Sequence, residues 1–365
     1  MVLRRLKSYL NSINYSIIIK ALVGNDFYLK PWKTLESYRY SCLSIELQSI
    51  VKLFYCGESV ENVFDVIRDS SLVSDLIKEQ YIIRIDNGFS FNNHRIIPYM
   101  GLYIMIDCRR NVICGDYVWF GEDSVFLSNI LPCKKDARVL DLCTGSGIQA
   151  LILGNRGMKV TALEINDKAV KIAKENVILN DLEENVKILK SDLFSALDNE
   201  DKYDLIVGNP PFLPMISNNN DKYYFADGGS DGLRIIRSIV DQADVHLTVN
   251  GKMILIGGGF GDDSAPFYSS EIKKISIKNK WHTAFYILGE NNAAAELERL
   301  GKSLPGLEGS TEKMKGHLSE NVKKYYSFIL SVEKNTSSVE VEVNKCFINL
   351  IDYMKELRKI NKSDE

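Results

Sequence analysis

Apolar residues recur along the chain with two different rhythms, and the change between them divides it. Up to about residue 112 the spacing is mainly helical. Met1 to Gly24 has an early positive charge and an apolar face broken by Asn11, Ser12, Asn14 and Ser16, which reads as an amphipathic helix. Ser44 to Phe54 and Val60 to Val73 predict two more helices, with Ser74 to Glu79 a turn or helix end. Tyr81 to Asp86, Asn87-Gly88 and Phe89 to Phe91 read as a hairpin with a tight turn. Helices followed by a small hairpin predict a winged-helix-like N-terminal domain over residues 1–112. The segment in the place of a recognition helix carries Asp65, Asp69 and Asp75 and no cluster of Arg or Lys, which favours a structural or substrate-capping role over DNA binding.

A bridge follows. Leu102 to Asp107 is a strand candidate, and Val125 to Leu131 is a helix that Asp123 or Ser124 is placed to cap. From Asp136 the rhythm alternates. Strands are predicted at Arg138–Leu142, Lys159–Glu164, Val186–Leu189, Tyr203–Val207 and Gly251–Gly257, separated by helices at Ile148–Gly154, Asp167–Leu179 and Asp231–Leu247. Such alternation predicts an α/β, Rossmann-like, mostly parallel open sheet with helices on both faces, over residues 113–335. His282–Leu288 and Tyr325–Val332 are expected as late antiparallel strands at the sheet edge. A polar insertion, 289–321, lies between them, with a helix near Asn292–Leu300 and a loop at Ser303–Ser310. Residues 336–365 read as a strand or loop and then an amphipathic helix, a C-terminal extension.

Composition narrows the classes. The chain has 365 residues, 45% of them hydrophobic, enough for a substantial core and two domains. A net charge of -3 does not advertise a nucleic-acid or membrane surface. No apolar run approaches the roughly 20 residues needed to span a bilayer. The seven cysteines are scattered with no CxxC pair, and only His94, His246, His282 and His317 offer imidazoles. Neither a disulfide framework nor a metal site is indicated, and a cytoplasmic protein with reduced thiols is expected.

Candidate chemistry collects at the ends of the parallel strands. Asp141-Leu142-Cys143-Thr144-Gly145-Ser146-Gly147 runs from a strand into a helix, and Gly145 and Gly147 permit a tight turn with close approach of a ligand to backbone. The next strand ends at Glu164, where a carboxylate can accept from two ribose hydroxyls. Asp192-Leu193 follows the third strand, placed to meet an adenine amine. Ala150 stands at the last glycine position of a dinucleotide fingerprint, so an NAD reading stays open on this segment alone. The phosphate-loop pattern is absent.

The fourth strand runs into Asn209-Pro210-Pro211-Phe212. The prolines stiffen the chain and restrict the residues before them. Two readings follow. One is a rigid strand-end turn with a buried Phe. In the other, the Asn209 side-chain carbonyl and the Pro210 carbonyl hold an NH2 group by both hydrogens and aim its lone pair at an electrophile, with Phe212 against the attached plane.

Asp141 to Gly147, Glu164, Asp192 and Asn209 to Phe212 together resemble a class I S-adenosylmethionine-dependent methyltransferase, and within it the small-domain amino-methyltransferases that include the release-factor glutamine methyltransferases. The resemblance implies S-adenosyl-L-methionine as cofactor. It implies that the Asp141–Gly147 loop, with Thr144, wraps the methionine part, that Glu164 holds the ribose, and that Asp192 and the Leu193 backbone meet adenine. Asn209, Pro210 and Phe212 would be catalytic. By the same likeness Asp227-Gly228-Gly229-Ser230-Asp231-Gly232 would be a loop at the pocket mouth. Two departures stand out: Phe212 replaces the tyrosine usual in the glutamine enzymes, and Trp119-Phe120-Gly121-Glu122-Asp123-Ser124 replaces their proline-rich segment. Trp119, Phe120 and Pro211 are candidate substrate-pocket residues, with a place in the core the other reading for Trp119 and Phe120.

The expected reaction is N-methylation of an amide or amine, in a protein glutamine or a small molecule. An RNA or DNA base N-methyltransferase and a non-catalytic protein retaining the cofactor fold are the alternatives.

Overall fold

The computed structural model describes residues 1–24, 35, 37–108, 117–132, 134–215, 223, 225–303, 308–334 and 339–345. Among the described residues twelve strands are numbered in chain order: β1 Ile83–Ile85, β2 Gly88–Ser90, β3 His94–Tyr99, β4 Leu102–Asp107, β5 Arg138–Leu142, β6 Lys159–Glu164, β7 Val186–Lys190, β8 Tyr203–Gly208, β9 Leu247–Gly261, β10 Trp281–Asn292, β11 Lys324–Lys334 and β12 Val341–Lys345.

Eight strands form the central sheet in the order β12-β10-β11-β9-β8-β5-β6-β7. The run from β7 to β9 is parallel. Its strands are near-continuous apolar runs, as in Val139–Leu142 and Leu205–Val207, because helices cover both faces. The late strands are antiparallel to each other, but they do not simply extend the edge. β11 inserts between β9 and β10 and runs antiparallel to both. Strand order reverses beside β5, which has β6 on one side and β8 on the other. At such a switch point the loops leaving two neighbouring strands diverge and a crevice opens at their carboxyl ends.

Local chemistry moved several expected boundaries. The segment Val60–Val73 is not one helix but two pieces, Val63–Val66 and the start of Ser70–Lys78. Asp69 restarts the helix by accepting from the Leu72 N–H at 2.8 Å, and Asn62 caps the first piece through the Phe64 N–H. The β1–β2 turn is Asp86-Asn87, one residue earlier than expected, since Ile85 pairs with Gly88. Gly88 lies against the Val60 carbonyl, where a Cβ would come within 2.1 Å. β3, which contains Pro98, has no counterpart in the sequence reading. The proline is tolerated since, among the described residues, β3 pairs with β4 alone, as an edge. The insertion 289–321 folds as helices Ala293–Ser303 and Glu308–Gly316.

The apolar core runs without interruption from Val2 and Leu6 through Phe54 and Ile104 to Leu151, Val177 and Val207. Two buried asparagines add a polar seam. Asn180, just past helix Asp167–Leu179, exchanges both hydrogen bonds with the backbone of Tyr103, at 2.9 and 2.7 Å. Asn176, within that helix, does the same with Met105, at 2.7 and 2.9 Å, and also donates to the Ser146 carbonyl at 2.8 Å. The two side chains act as a strand would, satisfying the free edge of β4. The N-terminal region is thereby hydrogen-bonded to the helix that supports the glycine loop.

The expected boundary near residue 112 and the C-terminal helix beyond residue 345 lie outside the described residues. Among the described residues no helix is long and apolar enough to cross a membrane.

Candidate active site

A cleft of about 340 Å³ lies at the carboxyl ends of β5, β6 and β8. Its floor is the loop after β5. Gly145 and Gly147 both take positive φ, +56° and +86°, and a Cβ on Gly145 would meet nothing closer than the Trp119 carbonyl at 3.9 Å. The glycine thus leaves open space over the loop.

Two buried carboxylates organise that floor. Glu164 accepts from three backbone N–H groups, of Gly145, Ile165 and Asn166, each at 2.9 Å. Burial raises its pKa, and these three bonds oppose the rise. Asp141 is buried beneath the loop, where its Oδ2 accepts from the Thr144 hydroxyl and from the Ala150 N–H. Burial pushes its pKa up to about 7, the two hydrogen bonds pull against this, and Glu164 adds to it. The other oxygen of Asp141 and the hydroxyl of Ser146 are buried without a partner among the described residues.

The opposite wall is the Asn209–Phe212 motif. Asn209 Nδ2 donates to Asp123 Oδ2 at 2.9 Å and to Ser124 Oγ at 3.1 Å. This corrects the expected capping role of Asp123 and Ser124. Helix Glu122–Ile130 starts after Gly121 with no side-chain cap, and both side chains serve Asn209 instead. The second oxygen of Asp123 accepts from Trp119 Nε1 at 2.9 Å. The indole folds back over Gly121, where a Cβ would lie 2.5 Å from the ring. The indole also stacks on Phe225, with centroids 5.6 Å apart and planes within 7°.

The cleft gathers most of the residues singled out in the sequence. Thr144, Gly145, Glu164, Asn209, Pro210, Pro211, Phe212 and Trp119 all line it. Asp141 and Gly147 sit behind its floor. Phe120 does not reach it and is buried in the core, contrary to the substrate-pocket expectation. Asp192 and Leu193 lie beyond the end of β7, outside the lining, with Asp192 exposed. Asp192 still acts on the site: with Glu164 and Asp141 it adds to the burial that holds the Cys143 thiol well above its ordinary pKa. The loop 227–232 is hydrogen-bonded to the chain that leaves the motif. Gly228 donates to the Leu213 carbonyl, Leu213 to that of Ala226, and Met215 to that of Gly229.

Sequence reasoning missed Phe225, Gln149 and the trio Arg299, Leu300 and Ser303, all in the lining. The trio comes from helix Ala293–Ser303 of the insertion, so this helix forms part of the cleft wall. Its period marked it as a helix, and the sequence left open whether the insertion covers a pocket or decorates the surface.

A parallel sheet with one inserted antiparallel strand, a glycine turn after β5, an acid closing β6 and Asn-Pro-Pro-Phe after β8 define the class I methyltransferase architecture. Residues 108–262 match the family described as Methyltransferase small domain. A ribosomal protein uL3 glutamine methyltransferase of Bradyrhizobium diazoefficiens is 40% identical over 51% of this chain and 61% of its own. A release factor glutamine methyltransferase of Fusobacterium nucleatum is 37% identical over 33% of this chain and 36% of its own. A putative protein N5-glutamine methyltransferase of Methanocaldococcus jannaschii is 34% identical over 37% of this chain and 68% of its own. The chain belongs to the methyltransferase small domain family. It spans less than two thirds of the length of the Bradyrhizobium and Fusobacterium relatives.

S-adenosyl-L-methionine is the cofactor of class I methyltransferases, and the residues present fit it. The orphaned oxygen of Asp141 and hydroxyl of Ser146 lie at the loop that would take its amino-acid end. The space above Gly145 admits a ligand against backbone. Glu164 is locked by three N–H groups and lines the cleft, as an acceptor for vicinal hydroxyls requires.

Proposed function

We propose that this chain methylates the side-chain amide nitrogen of a glutamine in a protein acceptor, using S-adenosyl-L-methionine, in the cytoplasm. One observation carries the reading. The Asn209–Phe212 motif and the Thr144–Gly145 and Glu164 elements line a single cavity, so a cofactor site and a nitrogen-holding site share one space. The names of the relatives, which refer to glutamine in ribosomal protein uL3 and in release factors, support the acceptor class.

When bound, the cofactor supplies an electrophilic methyl group whose sulfur leaves with the bonding electrons. The chain's own part is positioning. Asn209 and the Pro210 carbonyl receive the N–H bonds of the acceptor amide and turn its nitrogen lone pair toward the methyl group. Forming the N–C bond leaves one surplus proton, which passes to solvent. Glu164 and the loop beneath it fix the donor end. Trp119 and Phe225 wall the cleft with apolar surface that excludes water from the reacting atoms.

The test is transfer of a labelled methyl group to glutamine-containing peptides and ribosomal protein, with Asn209→Ala alongside. The variant is expected to bind S-adenosylhomocysteine as the parent does and to lose transfer by about 10²-fold or more. Undiminished transfer by Asn209→Ala, or a folded parent that binds no S-adenosylhomocysteine, would overturn the reading.

A further inference from the structure

We propose that Asp123 is the positioning residue of the motif. With Ser124 it takes both amide hydrogens of Asn209 and so fixes the Asn209 carbonyl oxygen as the acceptor facing the cleft. The activity arm of this proposal rests on the methyl-transfer reading of the same site.

An asparagine amide turned through 180° keeps its shape but exchanges a donor for an acceptor. The motif alone leaves that choice open. The surroundings of Asn209 close it. Its two amide hydrogens meet two acceptors, Asp123 Oδ2 at 2.9 Å and Ser124 Oγ at 3.1 Å. The turned amide would set a carbonyl oxygen against a carboxylate oxygen, which is repulsive. No described residue hydrogen-bonds to Asn209 Oδ1, and Asn209 lines the cleft. That oxygen is therefore presented to whatever occupies the cavity.

The carboxylate is itself held. Trp119 Nε1 donates to its other oxygen at 2.9 Å. The backbone below is tied as well: the Ser124 carbonyl accepts from Gln149 Nε2 at 3.1 Å and from the Ser128 hydroxyl at 2.7 Å. Gln149 belongs to the helix that leaves the glycine loop. Asp123 thus joins the nitrogen-holding motif to the elements that flank the donor side. A hydrogen bond to a carboxylate also polarises the amide and strengthens its far oxygen as an acceptor. A group bringing N–H bonds to this point is taken, and one presenting a bare oxygen is refused.

Asp123→Asn tests the proposal with almost no change of volume. Its amide has only one accepting end, so it cannot receive both Trp119 and Asn209. With acceptor saturating, kcat is expected to fall about 10²-fold, while the acceptor KM and the affinity for S-adenosylhomocysteine stay within about threefold. A second readout needs no activity. The Asn209 amide protons, assigned by their loss in Asn209→Ala, are expected to be protected from solvent exchange in the parent and unprotected in Asp123→Asn. Backbone amides of β5 and β8 should stay protected in both, which reports an intact fold. A kcat within about threefold of the parent, or freely exchanging Asn209 amide protons in the parent, would overturn the proposal. If the parent methylates no glutamine acceptor, the methyl-transfer reading fails and the amide protons alone decide the role of Asp123.

Discussion

The phenol of Tyr325 donates to the backbone carbonyl of Phe212 at 2.9 Å, tying the last residue of the Asn-Pro-Pro-Phe motif to a strand 113 residues away. The fit around this bond is close. A Cβ on Gly258 would lie 2.1 Å from the Tyr325 oxygen, and one on Gly232 would lie 2.4 Å from the Phe212 carbonyl. The inserted antiparallel strand β11 thus joins β9 to β10 and also holds the motif in place.

Tyr325→Phe removes the donor and leaves the ring. Unfolding in denaturant is expected to show a loss of about 1 kcal/mol, the net worth of one hydrogen bond at a part-buried acceptor. Methyl transfer should fall while S-adenosylhomocysteine binding is kept. Unchanged stability and turnover together would show that the prolines alone hold the motif.

Asn176→Ala strips partners from the Met105 N–H and from the carbonyls of Met105 and Ser146. A loss of about 2–4 kcal/mol is expected, more than an ordinary helix asparagine would cost, because several buried backbone groups lose partners at once. Hydrogen exchange should quicken in β4 and in the glycine loop together. Quickening in β4 alone would mean that the bond to Ser146 carries no load.

Asp141 makes the ligand-free protein sensitive to pH in an unusual direction. Its pKa is raised to about 7 from an ordinary 3.8, chiefly by burial. Between those values the folded chain holds a proton that the unfolded chain has lost. This contribution to stability is complete below the ordinary pKa and disappears as pH rises through 7. Glu164, also raised by burial, acts in the same sense. The melting temperature should therefore fall more steeply from pH 5 to pH 8 in the parent than in Asp141→Asn. Parallel profiles would refute the assignment.

Glu296 is buried and accepts from Asn291 and from Arg299, both at 3.0 Å. It anchors the helix whose Arg299, Leu300 and Ser303 wall the cleft. Glu296→Ala is expected to raise amide exchange over residues 293–303 and to raise the acceptor KM, leaving β5 to β8 protected. An unchanged KM despite faster exchange would show that this wall does not touch the acceptor.

Much of the nucleotide half was legible in the residues. Parallel strands buried on both faces read as plain apolar runs, and Gly145, Glu164 and Asn209 sit where strand ends must fall in a doubly wound sheet. Caps and turns were less legible. Asp123 and Ser124 had the chemistry of helix caps, and Asp69 broke a helix that periodicity joined. In each case a short polar side chain had two partners to choose between, one local and one distant. The N-terminal strand β3 went unread, and it holds Pro98, whose tolerance depends on lying at an edge.

The sequence by itself determined the class of sheet and the order in which a glycine turn, an acid and an Asn-Pro-Pro-Phe motif meet its open end, because period and strand-end position are local properties of the chain. Tertiary structure alone decided which way the Asn209 amide faces, that Phe120 is core while Trp119 lines the cleft, and that a helix from the insertion walls it. Those outcomes depend on partners dozens to hundreds of residues apart, such as Asp123 with Asn209 and Tyr325 with Phe212, and no local pattern encodes which of several hydrogen-bonding choices the folded chain will satisfy.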